Sequence, residues 1–199
     1  MPITIDGDGT ITGVSVGGLP DGIVDTDMLA AGAVTAAKRG AGAILQVQST
    51  VKTTAFSSSS TSFTDITGLS VSITPSSTSN KILVFSSFTA SGNTWSSGSG
   101  TLFSLVRGST GICQGTGGSS LNATAGFNAW SNGEGNTRGN YSSMSIQFLD
   151  SPSTTSATTY KIQGRQTYTV GTPTFTVGSR NQDATLGFAS VITAMEVAA

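Results

Sequence analysis

The chain has 199 residues, of which 36% are apolar and only 10% charged, with a net charge of −1, one cysteine and no histidine. The missing histidine excludes Ser-His-Asp and Cys-His catalysis and most zinc sites. The lone Cys113 excludes an internal disulfide, and the balance of charge, with no basic stripe, argues against a nucleic-acid footprint.

Residues 1–43 differ from the rest, holding five of the ten carboxylates: Asp6, Asp8, Asp21, Asp25 and Asp27. Ile3-Thr-Ile and Thr10-Ile-Thr flank a Gly/Asp turn and predict a small hairpin. Asp25 to Arg39 predicts one short helix, with Asp25 or Thr26 as its cap, Lys38 and Arg39 at its negative end and Gly40 beyond. The segment has too few large apolar residues for its own core, so if it is ordered it must dock on something else. Its Gly content is also compatible with a floppy tail. No basic start or apolar core of a signal peptide is present, and no run approaches a membrane span. The expectation is a protein made and assembled in a cytoplasm.

From Ile44 onward one device repeats: short runs of alternating apolar and polar residues between Ser-, Thr-, Gly- and Asn-rich breaks. Leu69, Val71 and Ile73 alternate with hydroxyl residues, as do Met144, Ile146 and Phe148 with their neighbours, and Val191, Thr193, Met195 and Val197. A period of two gives each strand one buried and one wet face, and disordered polar chains do not keep it. Strands are predicted at Ile44–Val51, Gly68–Thr74, Lys81–Ala90, Thr101–Arg107, Gly111–Gln114, Ser142–Asp150, Thr158–Thr167, Thr174–Val177 and Ser190–Val197. Lys81-Ile-Leu-Val-Phe is continuous instead of alternating, which predicts a central strand covered on both faces. Arg107-Gly-Ser-Thr predicts a tight hairpin turn, and Cys113 a small buried hydrophobe beside Ile112. The fold class is therefore all-β, an antiparallel jelly-roll or related sandwich over residues 44–199, preceded by an extended N-terminal arm over 1–43.

Chemistry is sparse. The body's carboxylates, Asp65, Glu134, Asp150, Asp183 and Glu196, fall one to a segment, so nothing suggests the facing pair a glycosidase needs. Asp6-Gly-Asp-Gly-Thr begins like a calcium loop but lacks its third ligand and sharp-turn glycine, and the Gly-rich stretches lack the Lys-Ser/Thr of a phosphate loop. No catalytic residue, metal site or cofactor is expected, and a glycan-cleaving depolymerase is an outsider. Both tryptophans lie in long polar segments: Trp95 in Ser91–Gly100, and Trp130 in Leu121–Asn140, which also holds Phe127, Glu134 and Arg138. Aromatic faces beside amides and hydroxyls either grip a sugar ring or protein patch, or pin the loops to the sandwich or a neighbouring copy. Trp95, Asn128, Trp130 and Arg138 are the candidate receptor-binding residues.

Three stretches resemble a domain common in tail-fibre and other virion surface proteins of tailed bacteriophages. They are Phe63-Thr-Asp-Ile-Thr-Gly-Leu-Ser-Val-Ser-Ile-Thr-Pro through Val84, Leu105-Val-Arg-Gly-Ser-Thr, and the ending Ile192-Thr-Ala-Met-Glu-Val-Ala-Ala. Ile11-Thr-Gly-Val-Ser-Val-Gly-Gly-Leu-Pro-Asp-Gly and Ala31-Gly-Ala-Val-Thr-Ala-Ala-Lys resemble the leader of such fibres. The resemblance implies a homotrimeric jelly roll similar to the complement and tumour-necrosis-factor type, with an N-terminal segment that attaches to the virion. Ile3, Ile5, Ile11, Leu19, Met28 and Leu29 are then the candidate docking residues. It implies as partners further copies of the chain, other virion proteins of baseplate, tail or capsid, and a bacterial surface glycan or protein, without membrane insertion. The expected role is a short tail fibre; the alternative is a capsid decoration or head-fibre protein whose arm clamps capsid subunits. The chain departs from long fibres in having no shaft repeat.

Overall fold

A computed structural model describes residues 4–5, 11–12, 34, 38–93, 100–118, 121–128, 140–167, 173–180 and 186–199. The chain divides into two compact units, Met1–Gly40 and Ala41–Ala199. In the first, β1 (Thr4–Ile5) pairs antiparallel with β2 (Ile11–Thr12), placing Ile5 opposite Ile11, which is the hairpin the sequence suggests. Most of the predicted helix over 25–39 lies outside the described residues.

The second unit is two antiparallel sheets forming a sandwich-like arrangement. Its strands are β3 (Ile44–Lys52), β4 (Phe56–Ser58), β5 (Thr64–Ile73), β6 (Lys81–Asn93), β7 (Gly100–Arg107), β8 (Thr110–Ile112), β9 (Ala125–Asn128), β10 (Asn140–Asp150), β11 (Thr158–Gln166), β12 (Thr174–Val177) and β13 (Ser190–Val197). The long β6 organises the first sheet. Along one side it pairs with β13 over Lys81–Ser87 and with β12 over Ala90–Asn93; along the other it pairs with β10. β3 lies beyond β13, and β4 beyond β12. The second sheet runs β5-β11-β7, and β8 and β9 share the far side of β7.

The core lies between the sheets. Leu69, Val71 and Ile73 from β5 meet Ile82, Val84 and Phe88 from β6, with Met144 and Ile146 from β10 and Tyr160 and Ile162 from β11. Phe103 is its aromatic hub, edge-on to Phe88 at 4.9 Å and to Phe175 at 5.8 Å, and stacked with Phe127 at 6.3 Å. Two glycines are fixed by geometry. Gly68 has φ +83° inside the part of β5 that bulges out of register with β11. At Gly164 a Cβ would come within 2.6 Å of the Phe175 ring, so only glycine lets β11 pass that close.

Four sequence expectations are corrected. Residues 121–140 are not one loop, since Ala125–Asn128 forms β9 against β7. Cys113 is exposed, at φ +54° directly after β8, because the chain turns outward there. In β13 the alternation is inverted: Ser190, Ile192, Ala194 and Glu196 face the core, and Val191, Thr193, Met195 and Val197 face outward. Finally, β6 is central, but among the described residues only one of its faces is covered; Phe85 is 37% exposed.

Candidate functional site

Strand direction sorts the connections between the two ends of the sandwich. At one end lie Ala41–Ala43, where Gly42 N donates to Ala198 O and Ala198 N donates to Ala43 O, together with the turns 74–80, 108–109 and 151–157. At the other end the strand termini converge. Asn140 is opposite Gly92, Thr174 opposite Asn93, and Asn128 opposite Gly100. The segments 94–99, 129–139 and 168–172 therefore all leave from this second end, and two of them carry the two tryptophans. This is the candidate site.

Its floor is rigid. Thr167 Oγ1 accepts from Gly100 N at 2.7 Å and donates to Gly100 O at 3.0 Å, and Thr167 N donates to the same oxygen at 2.9 Å. Beneath, Thr101 Oγ1 donates to Gln166 Oε1 at 3.3 Å, and Phe127 covers the Phe103 cluster. The Gln166 amide nitrogen and Ser190 Oγ are the buried side-chain polar atoms without a partner among the described residues. Such a platform fixes where attached segments begin, which is how a sandwich usually carries recognition.

Among the candidate receptor residues, Asn128 is the last residue of β9, directly opposite Gly100. Trp95, Trp130 and Arg138 lie outside the described residues. Among the candidate docking residues, Ile5 and Ile11 are cross-strand partners, while Ile3, Leu19, Met28 and Leu29 lie outside the described residues.

Polar clusters that single-residue reasoning misses occur elsewhere. Glu196, 1% exposed, accepts through Oε1 from Ser76 N at 2.6 Å, Ser76 Oγ at 2.7 Å and Asn80 Nδ2 at 2.6 Å, and through Oε2 from Gln46 Nε2 at 2.6 Å. Burial pushes its carboxyl up, but the bonds from Asn80, Gln46 and Ser76 together overcome this and hold it below the ordinary value of 4.5. Asp150 receives Arg107 Nη1 at 2.8 and 2.9 Å and the Tyr160 hydroxyl at 2.7 Å. Burial, then that bond and the Asp150 charge, raise the Tyr160 hydroxyl far above its ordinary value, so it stays a protonated donor. Both carboxylates are saturated with structural donors and tie separate strands together.

The outer face of the second sheet holds a shallow depression of about 370 Å³, lined by Asp65, Ile66, Thr67, Gly68, Ser70, Thr159 and Lys161. Its one carboxylate is engaged: Asp65 accepts from Lys161 Nζ at 2.8 Å and Gln163 Nε2 at 2.7 Å. The Lys161 bond, then the Gln163 bond, lower the Asp65 carboxyl against a smaller opposing effect of burial. A single paired carboxylate cannot serve as the two-carboxylate machinery of glycan cleavage. No model of a known protein family matches the chain, and a search of curated proteins finds no relative.

Proposed function

We propose that the protein is a non-catalytic virion structural protein of a tailed bacteriophage: a short homotrimeric tail fibre. Its N-terminal segment docks on the particle, and the far end of its sandwich contacts a bacterial surface glycan or protein. The observation that carries this reading is the polarity of the second unit. The chain enters at Ala41–Ile44, and the segments bearing Trp95 and Trp130 leave from the opposite end. A body attached through its N-terminus then turns outward the end from which those segments leave.

The strand order supports a jelly-roll reading. Counting β3, β5, β6, β7, β8 with β9, β10, β11 and β13 as eight successive strands, the sheets run 1-8-3-6 and 2-7-4-5, the arrangement two interlocked Greek keys give. The resemblance of the strand segments to phage fibre domains supports the trimer. Three copies about one axis multiply a weak sugar contact by effective concentration.

The test is adsorption. Particles carrying Trp95→Ala or Trp130→Ala are expected to bind host cells at least ~10-fold more slowly, since an aromatic at the centre of a contact contributes about 2 kcal/mol or more. Unchanged adsorption together with loss of capsid stability on removing the protein would instead favour decoration of the head.

A further inference from the structure

Lys52 ends β3 with its side chain turned inward, and it is only 4% exposed. Its ammonium donates to Thr54 Oγ1 at 3.0 Å, its one hydrogen bond among the described residues. The ion pairs among those residues are Arg107–Asp150 and Lys161–Asp65, so no carboxylate there neutralises it. Lysine is almost never buried this far unless it is paired. Directly across the ladder, Ser190 of β13 is the register partner of Lys52 and also faces inward. Ser190 is 0% exposed, and its Oγ is a buried polar atom without a partner. Two adjacent positions on one face of the sheet therefore carry a cation and a hydroxyl that both lack an acceptor. The bulge of β5 lies against them. A Cβ on Gly68 would be 3.8 Å from Lys52 Cγ and Cδ and 3.9 Å from Nζ. These are ordinary contact distances, so the missing side chain leaves about a methyl group of room beside the ammonium. Thr54 is exposed and opens this place to solvent; it is held from behind by Gly178, where a Cβ would come within 3.2 Å of the Thr54 carbonyl oxygen.

We infer that Lys52, Ser190 and Thr54 form a binding site for a small monovalent anion of the size of chloride. Three observations set that class. The groups that meet here donate: two of the three ammonium N–H bonds remain after Thr54, and the Ser190 and Thr54 hydroxyls each have a hydrogen to give, so the ligand must accept. The site holds one positive charge, which would leave a doubly charged phosphate or sulfate half neutralised in a buried place. The room beside Gly68 is too small for a sugar carboxylate or a peptide. Burial lowers the Lys52 pKa with no opposing charge, and an anion alongside restores the ammonium. The bound ion joins the end of β3 to the start of β13 beside the bulge of β5, at the edge where the two sheets meet. This inference goes beyond the fibre reading and does not depend on where the chain sits on a particle.

The experiment uses the full chain, with chloride and bromide as probes. Urea unfolding is followed while sodium chloride replaces sodium gluconate at constant ionic strength, gluconate being too large to enter. In the wild type, each tenfold rise in chloride above its dissociation constant is expected to raise the folding constant about tenfold, the linkage of a single site. Lys52→Met keeps the stem and removes the charge, and its folding constant is expected not to respond to chloride. Ser190→Ala is expected to move the response to roughly tenfold higher chloride, through loss of one hydrogen bond to a charged group. Crystals of the wild type soaked in sodium bromide should show anomalous density in contact with Lys52 Nζ and Ser190 Oγ, a readout that needs no folded variant. A wild-type folding constant that ignores chloride, an equal chloride response in Lys52→Met, or a bromide soak that leaves no anomalous density at Lys52 overturns the inference.

Discussion

Glu196 carries a disproportionate share of the order at the end where the chain enters the sandwich. One buried carboxylate collects donors from β3 and from the 74–80 turn, so it holds three pieces of chain in register. Because its folded-state pKa lies below the unfolded value, its contribution is present above pH 4.5 and is lost as pH falls through the lower folded value. Glu196→Gln is expected to cost about 2–3 kcal/mol at neutral pH, since an amide must turn one donor toward another. The drop in the thermal unfolding midpoint below pH 4.5 should be shallower in this variant than in the wild type, read by circular dichroism across a pH series. Tyr160→Phe removes the hydroxyl bond to Asp150 but leaves Arg107 in place; a loss of about 1–2 kcal/mol in urea denaturation is expected. Neither cluster was legible in the sequence. Glu196, Asn80 and Gln46 are each unremarkable polar residues in strands or turns, and their meeting depends on pairings more than a hundred residues apart along the chain.

At the scale of elements, periodicity located the strands and misjudged some of their faces. Gly68–Thr74 was predicted from Leu69, Val71 and Ile73, and these are buried; the strand itself starts earlier, at Thr64, because the bulge around Gly68 hides its first half from a period-of-two reading. β4 and β9 were missed because three- and four-residue strands carry too little alternation to register. In β13 alternation alone puts Val191, Met195 and Val197 on the buried face, since they are more apolar than Ser190, Ala194 and Glu196, whereas among the described residues that side is only half-buried. Gly164 shows the reverse case, a residue whose absence of side chain matters more than any pattern. Gly164→Ala is expected to destabilise the fold by about 1–3 kcal/mol through displacement of the Phe175 ring, measurable as a lower denaturation midpoint at unchanged slope.

For the whole molecule, the sequence supplied an all-β body with an N-terminal segment of different character, and it marked the tryptophan-bearing stretches. It could not show that these stretches leave from one end, because that follows from strand direction: β6 and β11 run toward that end, and β7 and β10 begin there. Polarity is the property on which the proposed function turns. A fibre head must be held at one end and read at the other, and Ala41–Ile44 and the strand ends that flank 94–99, 129–139 and 168–172 lie at opposite ends. The most direct measurement is cryo-electron microscopy of intact particles at a resolution that orients the sandwich. The account predicts three copies at the tail, with the Ala41 end toward the particle and the Asn128–Asn140 end facing outward. Density on the capsid, or a sandwich whose Asn128–Asn140 end is buried against the virion, would contradict it.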